Sequence, residues 1–221
     1  MFSIPSTTLR QSFSVAFTVG LYGTAFGAAS VAAGLSVLQT CLLSLLTFTG
    51  ASQFAAIGVV SAGGGAAAAI ATAGLLGTRN ALYGLQMAPR VQVRGWRRIL
   101  AAHWTIDEST NVGIAQEPLG PAAVKAGFWL TGGGVYLFWN LFTLAGALGA
   151  KAIGTPEVWG LDAAVPAAFL GLLWPRLTSR ATRIIALSAV VFSLMATAAL
   201  PLGTAIIASS LVAVVAGWRA R

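Results

Sequence analysis

The chain has 221 residues and a formal charge of +8, yet only 8% of it is charged while 57% is hydrophobic. A soluble domain carries about 25% charged residues, so a water-exposed fold is excluded and the bilayer is the main solvent. The arginines cluster between apolar runs with no basic stripe interleaved with aromatics, so the charge reports orientation in a membrane and excludes nucleic acid as a partner.

Positions 11 to 78 contain no Asp, Glu, Lys, Arg or His. At about 20 residues per crossing this stretch is long enough for roughly three spans. Arg10 and the apolar run up to Ala28-Ala29-Ser30-Val31-Ala32-Ala33 have the outline of a secretory signal. Gly20, Tyr22, Gly23 and Gly27 inside the run, and further hydrophobic spans behind it, read instead as a retained first span. Charge and Pro/Gly punctuation give spans at 12–33, 36–60, 66–88, 126–149, 158–175, 184–200 and 201–218. The last charge-free run, 184–218, is too long for one crossing and holds Pro201, Leu202 and Gly203 near its middle, which predicts a hairpin of two short helices.

The expected fold is therefore an all-α integral membrane protein, a single transmembrane domain over 1–221 with about seven transmembrane helices. Seven spans suggest two three-helix repeats plus one helix, the two repeats being inverted because three is odd. Internal sequence support is limited to a small-residue-then-Phe character shared by 50–54 and Ala167-Ala168-Phe169. On this map Arg90, Arg94, Arg97, Arg98, Lys125, Arg176, Arg180, Arg183, Arg219 and Arg221 fall on one side, with only Arg10 and Lys151 on the other. Cytoplasmic loops collect Lys and Arg, so the C-terminus is expected inside and the N-terminus outside. A re-entrant first span, which its glycines also suit, would leave the N-terminus inside.

Few residues offer chemistry. Gly23-x-x-x-Gly27 serves either helix packing or a mid-membrane break. Ser52 and Gln53, in Gly50-Ala51-Ser52-Gln53-Phe54, form a polar patch that bonds either a neighbouring helix or a ligand. Arg79 is the sharpest feature, since a charge in an otherwise apolar span costs about 3 kcal/mol at mid-bilayer and faces an acid, carbonyls or an anionic substrate. Thr78, Asn80 and Tyr83 add donors beside it. The whole chain has five acids, Asp107, Glu108, Glu117, Glu157 and Asp162. On a continuous helix over 101–116, His103, Asp107 and Asn111 share a face, either as a proton relay or as solvated and capping groups. Asp162, near the outer end of the fifth span, either caps a helix or belongs to a site. Cys41 reads as a small core residue. With no nucleophile–base set, metal-ligand pair, phosphate loop or dinucleotide loop, neither an enzyme nor a cofactor or metal is expected. Uphill transport would then draw on an ion gradient or a partner.

The run Phe48-x-Gly50-Ala51-Ser52-Gln53-Phe54, Arg79 followed by Leu82-Tyr83-Gly84 and Ala88-Pro89, the pair Asp107-Glu108, Trp139, and Gly160-Leu161-Asp162 stand in an order that resembles the azaleucine-resistance AzlC family. The resemblance extends over about residues 13–210. It implies a multi-pass permease of the bacterial cytoplasmic (inner) membrane that exports leucine, isoleucine and valine, with methionine as a further candidate, together with a small AzlD-type membrane partner. Ala25-Phe26-Gly27 stands where members often have Pro-Phe-Gly, and Gly77 and Asn80 also depart from the pattern beside the arginine. On this reading Arg79, Gln53, Ser52, Asn80, Tyr83 and Trp139 contact the substrate, while Asp107, Glu108, His103 and Asp162 couple protons or gate. Two other readings stand beside it: a non-transporting structural subunit of a membrane complex, and a membrane enzyme whose polar site has no familiar motif.

Overall fold

An apolar chain in a bilayer must satisfy its main-chain hydrogen bonds internally, and without a closed barrel only helices do so. The structure, a computed structural model, describes residues 4–154, 164–200 and 202–219; helices dominate among them and no strand occurs. Glu157, Asp162 and Pro201 lie outside the described residues.

Helix α1 (Ser6–Ala32) is unbroken over 27 residues, about 40 Å at 1.5 Å per residue. Its glycines serve packing, so the mid-membrane break they allowed is absent. Gly20 lies against Phe138, Gly23 against Thr143 and Gly27 against Ala147 of α7 (Pro121–Ile153), so the two helices run parallel. A Cβ on Gly27 would fall on the Thr143 carbonyl oxygen, and one on Gly146 on that of Thr24. Main chain cannot step aside as a side chain can, so glycine is what allows this contact.

The stretch expected as one crossing at 36–60 is instead two short helices, α2 (Val37–Leu46) and α3 (Ala51–Ser61). Ser44 reaches Thr143, and Gln53 of α3 reaches back to Leu43 of α2. Helix α3 then runs antiparallel to α4 (Ala66–Val91), with Ser52 beside Gly77 and the joint at residues 62–65. The α2–α3 pair is thus a hairpin that enters from the end of α1 and turns back.

A second hairpin, α5 (Trp96–His103) and α6 (Asp107–Ala115), enters from the opposite end. Ala101 of α5 packs with Met87, Val124 and Phe128, and Gly113 of α6 lies against Met87 and Phe128, so both arms share a level. Trp104 at the turn is farther along α7, against Gly132 and Gly133.

Replacing one crossing by a hairpin moves the N-terminus. Thr8 Oγ1 donates to Gln116 Oε1 at 2.7 Å and Gln116 Nε2 donates to Gln11 Oε1 at 2.7 Å, beside the 2.7 Å pair of Arg90 Nε with Glu117. The start of α1 therefore shares an end with the finish of α4 and the start of α7. This corrects the expected opposite placement: Arg10 joins the cationic end of Arg90, and Lys151 stays at the other.

Beyond α7 come α8 (Ala164–Leu173), a 3-10 turn over Trp174–Arg176, α9 (Arg180–Thr197) and α10 (Leu202–Arg219). Helices α9 and α10 pack on each other where two short helices were expected. Among the described residues α1, α7 and α9 are long and apolar enough to cross a membrane. Helix α4 has 26 residues but carries Arg79 near its middle.

Candidate functional site

The two hairpin turns meet halfway along α7. Gly50 has φ +63° and ψ −94°, backbone that a side chain resists, which lets the chain leave α2 and restart as α3 within four residues, 47–50. In the other turn Thr105 Oγ1 donates to the Ala101 carbonyl at 2.7 Å, and Ser109 Oγ accepts from the Ile106 amide at 3.1 Å while donating to the Trp104 carbonyl at 2.7 Å. These side chains satisfy main-chain groups that the break orphans. Contact between the turns runs through His103 Nε2, 3.0 Å from the Leu45 carbonyl. Tyr136 OH donates to the same oxygen at 3.4 Å, and the Tyr136 ring meets Phe48 edge-on at 5.1 Å.

Between the turns lies a cavity of about 350 Å³, at the small end of the range for small-molecule sites. Val19, Phe48, Phe54, Leu76, Val135 and Trp139 give it apolar walls; Thr49, Arg79, Asp107, Glu108 and Arg176 give it polar ones. The Trp139 ring is fixed by Phe26, stacked at 5.9 Å, and by Phe54, edge-on at 6.2 Å. Its Nε1 is buried without a hydrogen-bond partner.

Charge is distributed unevenly around this space. Two half-helices aim their N-termini at it, and a helix N-terminus favours negative charge. Helix α6 carries Asp107 and Glu108 in its first turn, while α3 has no acid there. Arg79, from α4, donates through Nη2 to the Thr49 carbonyl at 3.4 Å and lies 3.8 Å from Asp107 Oδ1. Arg79 Nε and Thr49 Oγ1 are buried without partners. The α3 side of the cavity, with Arg79, is thus suited to an anion, and the α6 side to a cation.

Of the residues singled out by sequence, the structure brings Arg79, Asp107, Glu108 and Trp139 to one cavity. Ser52, Gln53, Asn80, Tyr83 and His103 are not part of its lining. Gln53 instead holds the first hairpin: Nε2 donates to the Leu43 carbonyl at 3.1 Å and Oε1 accepts from the Gly50 amide at 3.2 Å. The shared face of His103, Asp107 and Asn111 does not exist, because the break at 104–106 puts His103 at the end of α5 and Asp107 at the start of α6. Asp162 lies outside the described residues. The polar wall residues Tyr22, Thr49 and Arg176 were missed. Thr49 contributes a carbonyl and looks like any other residue of an apolar run; Arg176, after Trp174-Pro175, reads as a loop charge but places Nη2 3.6 Å from Asp107 Oδ2.

No curated protein and no solved structure matches the chain. The family model described as AzlC protein matches residues 14–153, which run from α1 through both hairpins to the end of α7 and include Arg79, Asp107, Glu108 and Trp139. Helical in its described elements, rich in apolar segments and matched over most of its length, the chain belongs to the AzlC family, which points to a membrane protein related to transport.

Proposed function

We propose that this protein is a secondary transporter that exports branched-chain or related apolar amino acids across the bacterial inner membrane, driven by an ion gradient and working with a small AzlD-type partner. The observation that carries the reading is the polarity of the cavity. An amino acid brings a carboxylate, an ammonium and an aliphatic side chain, and the cavity offers Arg79 with the free N-terminus of α3, the acids Asp107 and Glu108, and the apolar walls of Phe48, Phe54 and Trp139. Helices that stop halfway, with their ends aimed at a central site, suit alternating access. Helix α1 with its hairpin and α4 with its hairpin run in opposite directions, in keeping with an inverted repeat of one crossing plus one hairpin.

Arg10, Arg90, Arg94, Arg97, Arg98 and Lys125 gather toward one end of the molecule, and the positive-inside rule makes that end cytoplasmic. Helix α9 has no buried residue, which favours a groove completed by another membrane protein. Counterflow of labelled leucine in liposomes, with and without the small partner, tests the proposal. Accumulation against unlabelled leucine supports it. Absence of counterflow with the partner present rejects transport and favours a structural subunit.

A further inference from the structure

Asp107 stands between two guanidinium groups. Its Oδ1 lies 3.8 Å from Arg79 Nη2 and its Oδ2 3.6 Å from Arg176 Nη2, both longer than a charge-assisted hydrogen bond of about 2.8 Å. The two arginines come from distant parts of the chain, α4 and the turn after α8, yet both line the one cavity. Arg79 has donors to spare, because its Nε is buried without a partner and its Nη2 makes a single long bond to Thr49. One carboxylate oxygen thus faces each arginine, and neither is drawn into contact.

We propose that Arg176 is a second carboxylate-recognising residue of the cavity, and that a ligand's carboxylate takes the place between Arg79 and Arg176 that Asp107 now occupies. A carboxylate that takes this place releases Asp107 beside Glu108, where a positive charge on the same ligand adds a second contact. A zwitterion supplies one, its ammonium facing the released Asp107 and Glu108 beside it. Asp107 then serves as an internal stand-in that keeps the two guanidiniums together between ligands. This deepens the transport reading and rests on it for the ligand class; the two-arginine seat itself does not.

Three probes with one carbon skeleton separate the groups: isocaproate has only the carboxylate, isoamylamine only the amine, and leucine both. Full-length protein in detergent is titrated with each, reading the thermal shift. Isocaproate and leucine should bind the wild type, and Arg176→Gln should weaken both by about tenfold or more, the loss of one charge-assisted contact. Isoamylamine binding should not weaken, whereas a merely structural role for Arg176 would weaken all three. Arg176→Lys should recover only part, since an ammonium lacks the planar fork. The Arg176 side chain is 64% exposed, so the variant should fold, and an unchanged melting temperature without ligand checks that it does. Failure of isocaproate to bind wild type, or equal binding by wild type and Arg176→Gln, overturns the proposal. If isocaproate binding is lost in Arg176→Gln while leucine counterflow fails in wild type, the two-arginine seat stands and the transport reading falls.

Discussion

The side-chain amide of Gln53 donates to the main-chain carbonyl of Leu43 at 3.1 Å, across the turn that separates α3 from α2. The same side chain accepts from the Gly50 amide, so one residue satisfies groups on both sides of the break. Gln53→Leu leaves these buried groups unpaired, at a cost of about 1–3 kcal/mol. The variant should melt earlier, yet folded molecules should bind leucine as wild type does. A large loss of affinity with no change in melting would mean that Gln53 contacts the ligand after all.

Arg79→Lys should insert and fold, because charge is retained opposite Asp107. An ammonium cannot reach Thr49, Asp107 and a ligand carboxylate in one plane, so leucine affinity should fall by roughly thirtyfold, about 2 kcal/mol. Titration of the purified variant checks this. Normal export by a well-folded Arg79→Ala variant would remove the arginine from the account altogether.

Gly27→Ala tests the α1–α7 contact, where a Cβ would meet the Thr143 carbonyl oxygen. The helices must separate, at about 1–3 kcal/mol for an overpacked methyl. Lower melting temperature is expected, measured by fluorescence-detected size exclusion after heating. Gly149→Ala, which has open space around it, should be silent in the same assay.

Asp107 and Glu108 head α6 and line the cavity beside Arg79, and an acid on a transport pathway is a candidate proton carrier. If one of them carries the coupling proton, Asp107→Asn or Glu108→Gln should abolish uphill export driven by a pH gradient while leucine exchange persists at reduced affinity. Uphill export at the wild-type rate in both variants would exclude the pair as carriers.

Arg79 was legible in the sequence because a charge inside an apolar run has few readings, and an acid of the second hairpin is indeed what lies near it. The hairpins themselves were not. The stretch 36–60 has the length and composition of a crossing, and apolar content does not distinguish a helix that traverses from one that turns back. The marks of the break are Gly50 and three residues before it, none unusual in a membrane helix. That one hidden turn also reversed the side assigned to Arg10, since topology counted by crossings changes parity with each error. Gln53 was visible as a polar residue out of place, but whether such an amide serves a ligand or main chain depends on where the broken ends lie. Arg176 was hidden by its surroundings: cations at the end of an apolar run are common, and nothing local separates one that faces the aqueous phase from one that folds over a cavity.

The pairing of α1 with α7 bears on how the molecule is made. Thr8 and Gln116, bonded at one end of this pair, are 108 residues apart in the chain, and Gly27 meets Thr143. During synthesis α1 emerges long before its partner and must wait with its glycine face against lipid or the insertion machinery. Both hairpins are also delivered before α7 gives them a wall to lie on. Trp139 comes from that same late helix and Arg176 from beyond it, so the cavity cannot assemble until the chain is finished through residue 176, and truncation short of that point should leave a product recognised by membrane quality control.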